Sequence, residues 1–425
     1  MKKLIFAFAG IILIISYSCT QNNQQNAELI EADPSSVNVS ADRLTRIDNL
    51  IQQSIDSGWI AGATGFIARD GKIVYYKAFG ARDAESGTPM AVDDIFRIAS
   101  QTKAITSVAV MTLFEEGKLL LDDPVSKYIP EFRVPVVLAG FNEKDTTFTT
   151  IPAKREITIR DLLTHTSGIE YAGIGSPTMR AIYAKYEIPG GFGSSGMYIG
   201  EKMRALGKLP LMHQPGERFT YGLNVDVLGY LVEVLSGESL DQYFHSHIFE
   251  PLGMNDTYFY IPESKAGRLV KVVTEGRNGK LLNATDGFSG YPLITDGTYY
   301  SGGAGLSSTI KDYAIFLQMM LNKGDYNGKR ILASRTVELM TSNQIGDLDL
   351  GRNKFGLGFE ITTKSGQSQL GVSEGSFSWG GYFGTNYWAD PAERVVGLLF
   401  INQAPLRHSE IQNKFKALVY QSIMN

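Results

Sequence analysis

Leu44, Ile47, Ile51 and Ile55 recur at helical spacing behind Ser40, a residue suited to cap a helix, and Gly58 and Gly62 end the run. The period then changes. Residues 63–69 and 72–79 read as strands around Asp70-Gly71, the strongest short hairpin signal in the chain. From about Thr102 to Glu116 the chain is densely apolar and predicts a buried helix stopped at Gly117. Residues 155–345 read mostly as helical segments between Gly-rich loops. Within them, the Gly- and Tyr-rich stretch from Tyr171 to Gly216 reads as one long loop able to line a cleft. The tail returns to strands at 355–362, 375–379, 385–389 and 394–402, with Asp390-Pro391 turning one pair. A last amphipathic helix sets Ile411, Phe415, Leu418 and Ile423 on one face. Strands at both ends with helices between them predict an α/β (α+β) fold. One antiparallel sheet is built from the two termini and flanked by helices, with a mainly helical subdomain inserted.

Composition narrows the class. The 425 residues are 43% hydrophobic, 11% aromatic and 20% charged, which excludes disorder, collagen and coiled coil as descriptions of the whole. Lys and Arg number 40 against 44 Asp and Glu, a formal charge of −4 with no basic run. Such a chain is not built to neutralise a phosphate backbone, so no nucleic acid partner is expected.

The N-terminus carries an address. Met1–Ser18 has Lys2 and Lys3, an apolar run from Leu4 to Ile15, then small or polar residues, the pattern of an export signal. At about 12 residues the run is short for a bilayer span, which takes roughly 20. Cys19, the sole cysteine, stands at the expected cleavage point and predicts lipid attachment, although Ser16 replaces the aliphatic residue usual just before it. The Gln- and Asn-rich stretch after it reads as a solvated tether over 19–40, leaving 41–425 as a single domain. The expectation is an exported bacterial lipoprotein, anchored to a membrane and facing the periplasm or the cell exterior. With one cysteine there is no disulfide within the chain.

Ser100-Gln101-Thr102-Lys103 lies where the early strands give way to the apolar helix. Three residues apart on a helix, the two side chains share a face, so Lys103 reaches the Ser100 hydroxyl. A serine hydroxyl is a weak nucleophile until a base takes its proton. A lysine serves only if burial or positive potential lowers its pKa well below about 10.4. The helix start also offers the Ser100 N–H to an oxyanion. The spacing alone is not specific, because Ser308-Thr309-Ile310-Lys311 repeats it; there Thr309 and Asp312 predict a capping box instead. A second decoy is Gly371-Val372-Ser373-Glu374-Gly375, followed by Asp390 and His408 in nucleophile-elbow order. The elbow needs a buried strand before the serine and a helix after it. The preceding residues are polar and the following ones strand-like, so Ser373 reads as a turn. Surface or hydrogen-bonding roles are expected for His165, His213, His245, His247 and His408. No spacing suggests a metal or a nucleotide, and no cofactor is expected.

From about residue 41 to the C-terminus the chain resembles the serine β-lactamase and penicillin-binding-protein superfamily, particularly class C β-lactamases and family VIII esterases. The resemblance rests on ordered segments. They are Phe96–Lys103 (FRIASQTK), Ile157–Gly168 (ITIRDLLTHTSG), Pro215–Tyr221 (PGERFTY), Pro251–Met254 (PLGM), Gly302–Leu306 (GGAGL) and Trp379–Tyr382 (WGGY). It implies a β-lactamase/transpeptidase-like fold with Ser100 as nucleophile. Tyr221 is then a phenol near Lys103 that relays protons. The family's asparagine two residues on is Leu223 here, with Asn224 displaced by one; whether Asn224 or Asp226 takes its place stays open. The family's Lys-Thr/Ser-Gly strand is replaced by Trp379-Gly380-Gly381. The glycines permit close backbone approach, Trp379 offers an apolar wall, and the Tyr382 N–H is the implied second oxyanion donor. Losing the cation weakens binding of a substrate carboxylate by about 1.5–3 kcal/mol. The sequence therefore predicts a serine hydrolase working through an acyl-enzyme, foremost an esterase on neutral acyl esters or amides. The alternatives are a weak β-lactamase or D-amino-acid peptidase on cell-wall peptides, and a non-catalytic binding lipoprotein.

Overall fold

The computed structural model describes residues 28–192, 196–285 and 290–424. The first 27 residues, and with them the signal segment and Cys19, lie outside the described residues. Among the described residues no helix is long and apolar enough to cross a membrane.

The main sheet uses strands from both ends of the chain: β1 (Ile30–Glu31), β2 (Gly62–Arg69), β3 (Lys72–Gly80), β4 (Lys354–Phe355), β5 (Glu360–Ile361), β6 (Phe377–Gly380), β7 (Asn386–Asp390) and β8 (Val395–Phe400). Their spatial order is β1-β3-β2-β8-β7-β6-β5-β4. All pairs are antiparallel except β1 on β3, which is parallel. The N-terminal hairpin joins the C-terminal meander where β2 pairs β8, with Thr64 opposite Phe400 and Arg69 opposite Val395.

Both faces of this seam are covered, which explains why β8 reads as an unbroken apolar run rather than an alternation. Phe66, Ala68, Val396, Leu398 and Phe400 face the main core. Ala63, Ile67, Val395 and Leu399 face a second core. That second core is closed by helix α1 (Ala41–Asp56) and the C-terminal helix, which pack on each other. Ser40 caps α1 by accepting from the Arg43 N–H at 3.3 Å. On the inner face lie α2 (Thr102–Glu115), α3 (Ile159–Leu163), α4 (Asn224–Ser236), α5 (Ile310–Leu321) and other short helices of the insertion; the C-terminal helix is α6 (Glu410–Ser422). Helix α2 is buried at nearly every position, as its uniform apolarity requires.

The structure revises several expectations. Residues 28–40 are docked rather than a tether: Leu29, Val37 and Val39 are buried, β1 pairs β3, and Val39 bridges Ile423. These apolar side chains are what a solvated segment lacks. The stretch from Tyr171 to Gly216 contains two helices, Pro177–Lys185 and Ile199–Leu206. Ser176 caps the first and Pro177 opens it, while Ile199, Met203 and Leu206 bury one face of the second. Residues 355–362 form two short paired strands, β4 and β5, instead of one. Around Ser308 the capping box is half formed. Thr309 accepts from the Asp312 N–H at 3.2 Å, but the Asp312 carboxylate accepts from Asp256 N and Thr257 Oγ1. Ser308 itself is fully buried in a strand between Ile95–Arg97 and Thr257–Tyr258.

Candidate active site

The strand Ile95–Arg97 leads straight into the helix start that carries Ser100. The turn is tight enough to hold buried Ala99 at φ +43°, a left-handed conformation that costs a non-glycine residue about 1–2 kcal/mol. Such strain persists only where surroundings impose it. Here they do, because Gly381 presses on the Ile98 carbonyl from the end of β6, so closely that a Cβ at 381 would collide with it. Gly380 has no such constraint; a Cβ there would make ordinary contacts with Thr385 O at 3.4 Å and Asn386 Nδ2 at 3.5 Å. Of the two glycines read as permitting close approach, Gly381 is the one that does so.

One turn into the helix, Lys103 is 2% exposed. Its Nζ lies 3.3 Å from Ser100 Oγ, 2.7 Å from Tyr171 Oη and 2.7 Å from Gly303 O. It also sits 4.7 Å from the Tyr221 ring centroid. The serine–lysine pairing read from the sequence is therefore present. The phenol on the amine, however, is that of Tyr171, 68 residues away in sequence. Tyr221 lies alongside, its ring 5.3 Å from that of Tyr171. Burial foremost, with Tyr221 and Asp226 nearby, holds the Tyr171 phenol well above the ordinary range, so Tyr171 keeps its proton.

Trp379 departs from its expected role as an apolar wall. Its indole Nε1–H donates to Tyr221 Oη at 3.3 Å, and Phe355 meets the ring edge-on at 5.3 Å. Tyr221 is thereby held from one side by Trp379 and from below by His165, whose ring centroid is 4.8 Å away. His165 is fully buried, not a surface residue. Thr158 and Asp161 form a capping box that starts α3, and the chain then turns at His165 with φ +56°. The His165 carbonyl accepts from the Thr220 N–H at 2.7 Å, tying this turn to the chain just before Tyr221. Its Nδ1 accepts from Asn224 Nδ2 at 2.9 Å. Burial, then the Lys103 charge, push the imidazole well below its ordinary pKa, so the ring is neutral.

Asn224 is thus spent in the core, accepting from Ser167 Oγ and donating to His165, and it does not replace the family's asparagine. Asp226 is turned the other way, toward Ser301. Leu223 is fully buried. The remaining four histidines have other partners or surroundings: His213 bonds Thr220 Oγ1, His245 is exposed, His247 stacks on Tyr243, and His408 stacks on Trp59. Ser373 follows the short helix Lys364–Leu370 and donates its N–H to Asp390, a carboxylate that also accepts from Ala392 N, Glu393 N and Tyr420 Oη. That carboxylate braces a turn and does not orient His408.

A cleft of about 180 Å³ opens above Ser100, lined by Ala99, Ser100, Tyr171, Gly173, Ile174, Gly190, Phe192, Ala304 and Tyr382. None of these residues is charged. Tyr382 and Ser100 face the same space, as two oxyanion donors must. Among the described residues no three His, Cys, Asp or Glu side chains converge as metal ligands.

A serine-bearing turn, a buried lysine one helical turn on and two phenols beneath an apolar cleft fit a serine hydrolase of the β-lactamase/transpeptidase-like fold. The chain belongs to the Beta-lactamase family, whose model matches residues 47–421. It is 34% identical over 371 residues to an uncharacterized protein of Mycobacterium tuberculosis, covering 84% of this chain and 89% of that one. Esterase EstB of Burkholderia gladioli is 30% identical over 393 residues, covering 88% of this chain and 94% of the esterase. Among solved structures, EstCE1, described as a hydrolase with promiscuous acyltransferase activity, superposes with a TM-score of 0.76 at 27% identity. That match covers 89% of this chain and 98% of EstCE1. The resemblance read from the sequence motifs is therefore correct at the level of family and fold.

Proposed function

We propose that the chain is an exported, lipid-anchored esterase that acts on neutral acyl esters through an acyl-enzyme on Ser100. The observation that carries this reading is the set of three contacts around Lys103 Nζ. Gly303 O can only accept, so one N–H of the amine always points there. A deprotonated amine has one further N–H for Tyr171 Oη and a lone pair for the Ser100 hydroxyl. As Ser100 Oγ bonds the acyl carbon, its proton passes to Nζ, and the ammonium then has one N–H for each of its three neighbours. Collapse breaks the ester C–O bond, and the leaving alkoxide takes the proton held on Nζ, relayed through Tyr221, which returns Lys103 to the neutral amine. Water attacks the acyl-serine by the reverse path, with the same groups managing its proton. The Ser100 and Tyr382 N–H groups hold the oxyanion in both steps.

An uncharged cleft, with Trp379-Gly380-Gly381 where the family has a carboxylate-binding strand, favours substrates without a carboxylate. The esterase relatives agree with this choice. The leader Met1–Ser18 and Cys19 support export and lipid attachment at the bacterial envelope.

Ser100→Ala is expected to lower p-nitrophenyl butyrate hydrolysis by several powers of ten, the scale of a removed catalytic serine. A fluorophosphonate probe is expected to label the peptide bearing Ser100. Labelling at Ser373 instead, or none, overturns the reading. Faster turnover of nitrocefin or a D-Ala-D-Ala peptide than of esters moves the assignment to cell-wall substrates. Retention of the full-length chain in the detergent phase, lost in Cys19→Ala, tests the anchor.

A further inference from the structure

Asp226 stands in the first turn of α4, among Val225, Val227 and Leu228, and none of the four is exposed to solvent. A carboxylate in such surroundings costs several kcal/mol unless something compensates it. Two hydrogen bonds do so in part: Oδ1 accepts from Ser301 Oγ at 2.6 Å and from Gly303 N–H at 3.3 Å. The other oxygen, Oδ2, is buried with no hydrogen-bond partner. It presses on Gly303 so closely that a Cβ there would collide with it. Gly303 therefore turns its N–H to the carboxylate and its C=O to Lys103 Nζ, linking one buried charge to the other through a single residue.

The titratable groups around Asp226 come from three directions: Lys103 from α2, Tyr171 from the chain after α3, and Tyr291 and Tyr299 from the chain entering Gly302. Arg97 bears on Tyr291 from the far side. The tyrosines are held in their neutral forms by burial. Lys103 is the cation that bears on the carboxylate itself, where its attraction opposes the upward push of burial.

We propose that Asp226 is a positioning residue for the hydrolysis. It fixes the Gly303 carbonyl on Lys103 and supplies the negative charge that stabilises the ammonium formed when Lys103 takes the Ser100 proton. This rests on the Ser100–Lys103 reading above. In the step it assists, the Oγ–H bond breaks, the Oγ–acyl bond forms and the proton ends on Nζ. Asp226 neither gains nor loses a proton.

The test is Asp226→Asn, which keeps an acceptor for Ser301 and Gly303, removes the charge and puts an NH2 group where Oδ2 stands. With p-nitrophenyl butyrate, kcat is expected to fall roughly tenfold to a hundredfold while KM stays within about twofold. The acid limb of the kcat/KM profile is expected to move to lower pH, because an amine without its counter-charge gives up its proton more readily. Ser301→Ala loosens the same loop but leaves the charge, so it lowers kcat without that displacement. An Asp226→Asn limb that coincides with the parent's overturns the proposal. A check without mutation covers the case in which Asp226→Asn does not fold. An acid limb governed by a buried amine beside a buried counter-charge stays put between about 0.05 and 0.5 M salt, whereas one governed by solvent-exposed charges shifts, and a shift overturns the proposal. Fluorophosphonate labelling separates the two failures: a labelled Ser100 with an unmoved limb removes only Asp226, while an unlabelled Ser100 removes the underlying mechanism.

Discussion

Lys103 has three polar neighbours, and each constrains it differently. Gly303 O accepts only, Tyr171 Oη donates or accepts, and Ser100 Oγ is the hydroxyl that gives up its proton in the reaction proposed above. Tyr221 is a step removed, and its orientation depends on the indole of Trp379. Trp379→Phe keeps the aromatic face against Phe355 and loses the Nε1–H donated to Tyr221 Oη. A hydrogen bond contributes about 1 kcal/mol, so kcat on p-nitrophenyl butyrate is expected to fall about fivefold to tenfold, with KM little changed. A rise in KM alone, with kcat unchanged, would show that Trp379 acts on binding. A second residue-scale prediction concerns stability. Burial pushes the Asp312 carboxyl up to about 6, despite hydrogen bonds from Asp256 N and Thr257 Oγ1. A raised carboxyl pKa means that the folded state prefers the proton. The destabilisation is therefore absent below about pH 4, grows as pH rises toward 6 and is complete above that, at about 3 kcal/mol. Asp312→Asn is accordingly expected to raise the melting temperature at pH 7.5, with a gain that shrinks as the pH approaches 4. An equal gain at both values contradicts this account.

At the scale of elements, signals carried by neighbouring residues were legible and signals carried by distant ones were not. Asp70-Gly71 announces the β2–β3 hairpin, and Ser40 announces α1, because turn and cap chemistry is local. Ser100 and Lys103 were legible for the same reason, being one helical turn apart. Tyr171 was not. It reaches Lys103 only because α3 ends in the left-handed turn at His165, which carries the chain back beneath α4, and no spacing in the sequence encodes that return. The Trp379–Tyr221 bond spans two elements and is equally hidden, so the sequence alone offers the indole only as a wall. The helices at 177–185 and 199–206 escaped because flanking glycines and tyrosines masked short apolar faces. Their one clear signal was Ser176-Pro177, a capping residue followed by a proline at the first helical position. Ser373 shows the converse, a local motif with no tertiary support.

For the molecule as a whole, the N-terminal segment belongs to the folded body from about Leu29 onward. A chain beginning at residue 28 is expected to melt with the full-length chain. One beginning at residue 41 loses the burial of Leu29, Val37 and Val39 and the pairing of β1 with β3, and is expected to melt several degrees lower. Differential scanning calorimetry of the two truncations checks this, and equal melts would return residues 28–40 to the tether.

The seam where Thr64 lies opposite Phe400 has a further consequence. During synthesis the hairpin that opens the chain has no partner for its inner edge until almost the whole polypeptide has been made, so the central hydrogen-bond ladder is among the last features to form. Contacts this distant in sequence make folding slow. If the chain is exported as proposed above, staying open until its final strand arrives leaves it in the condition required for threading through a narrow secretion channel.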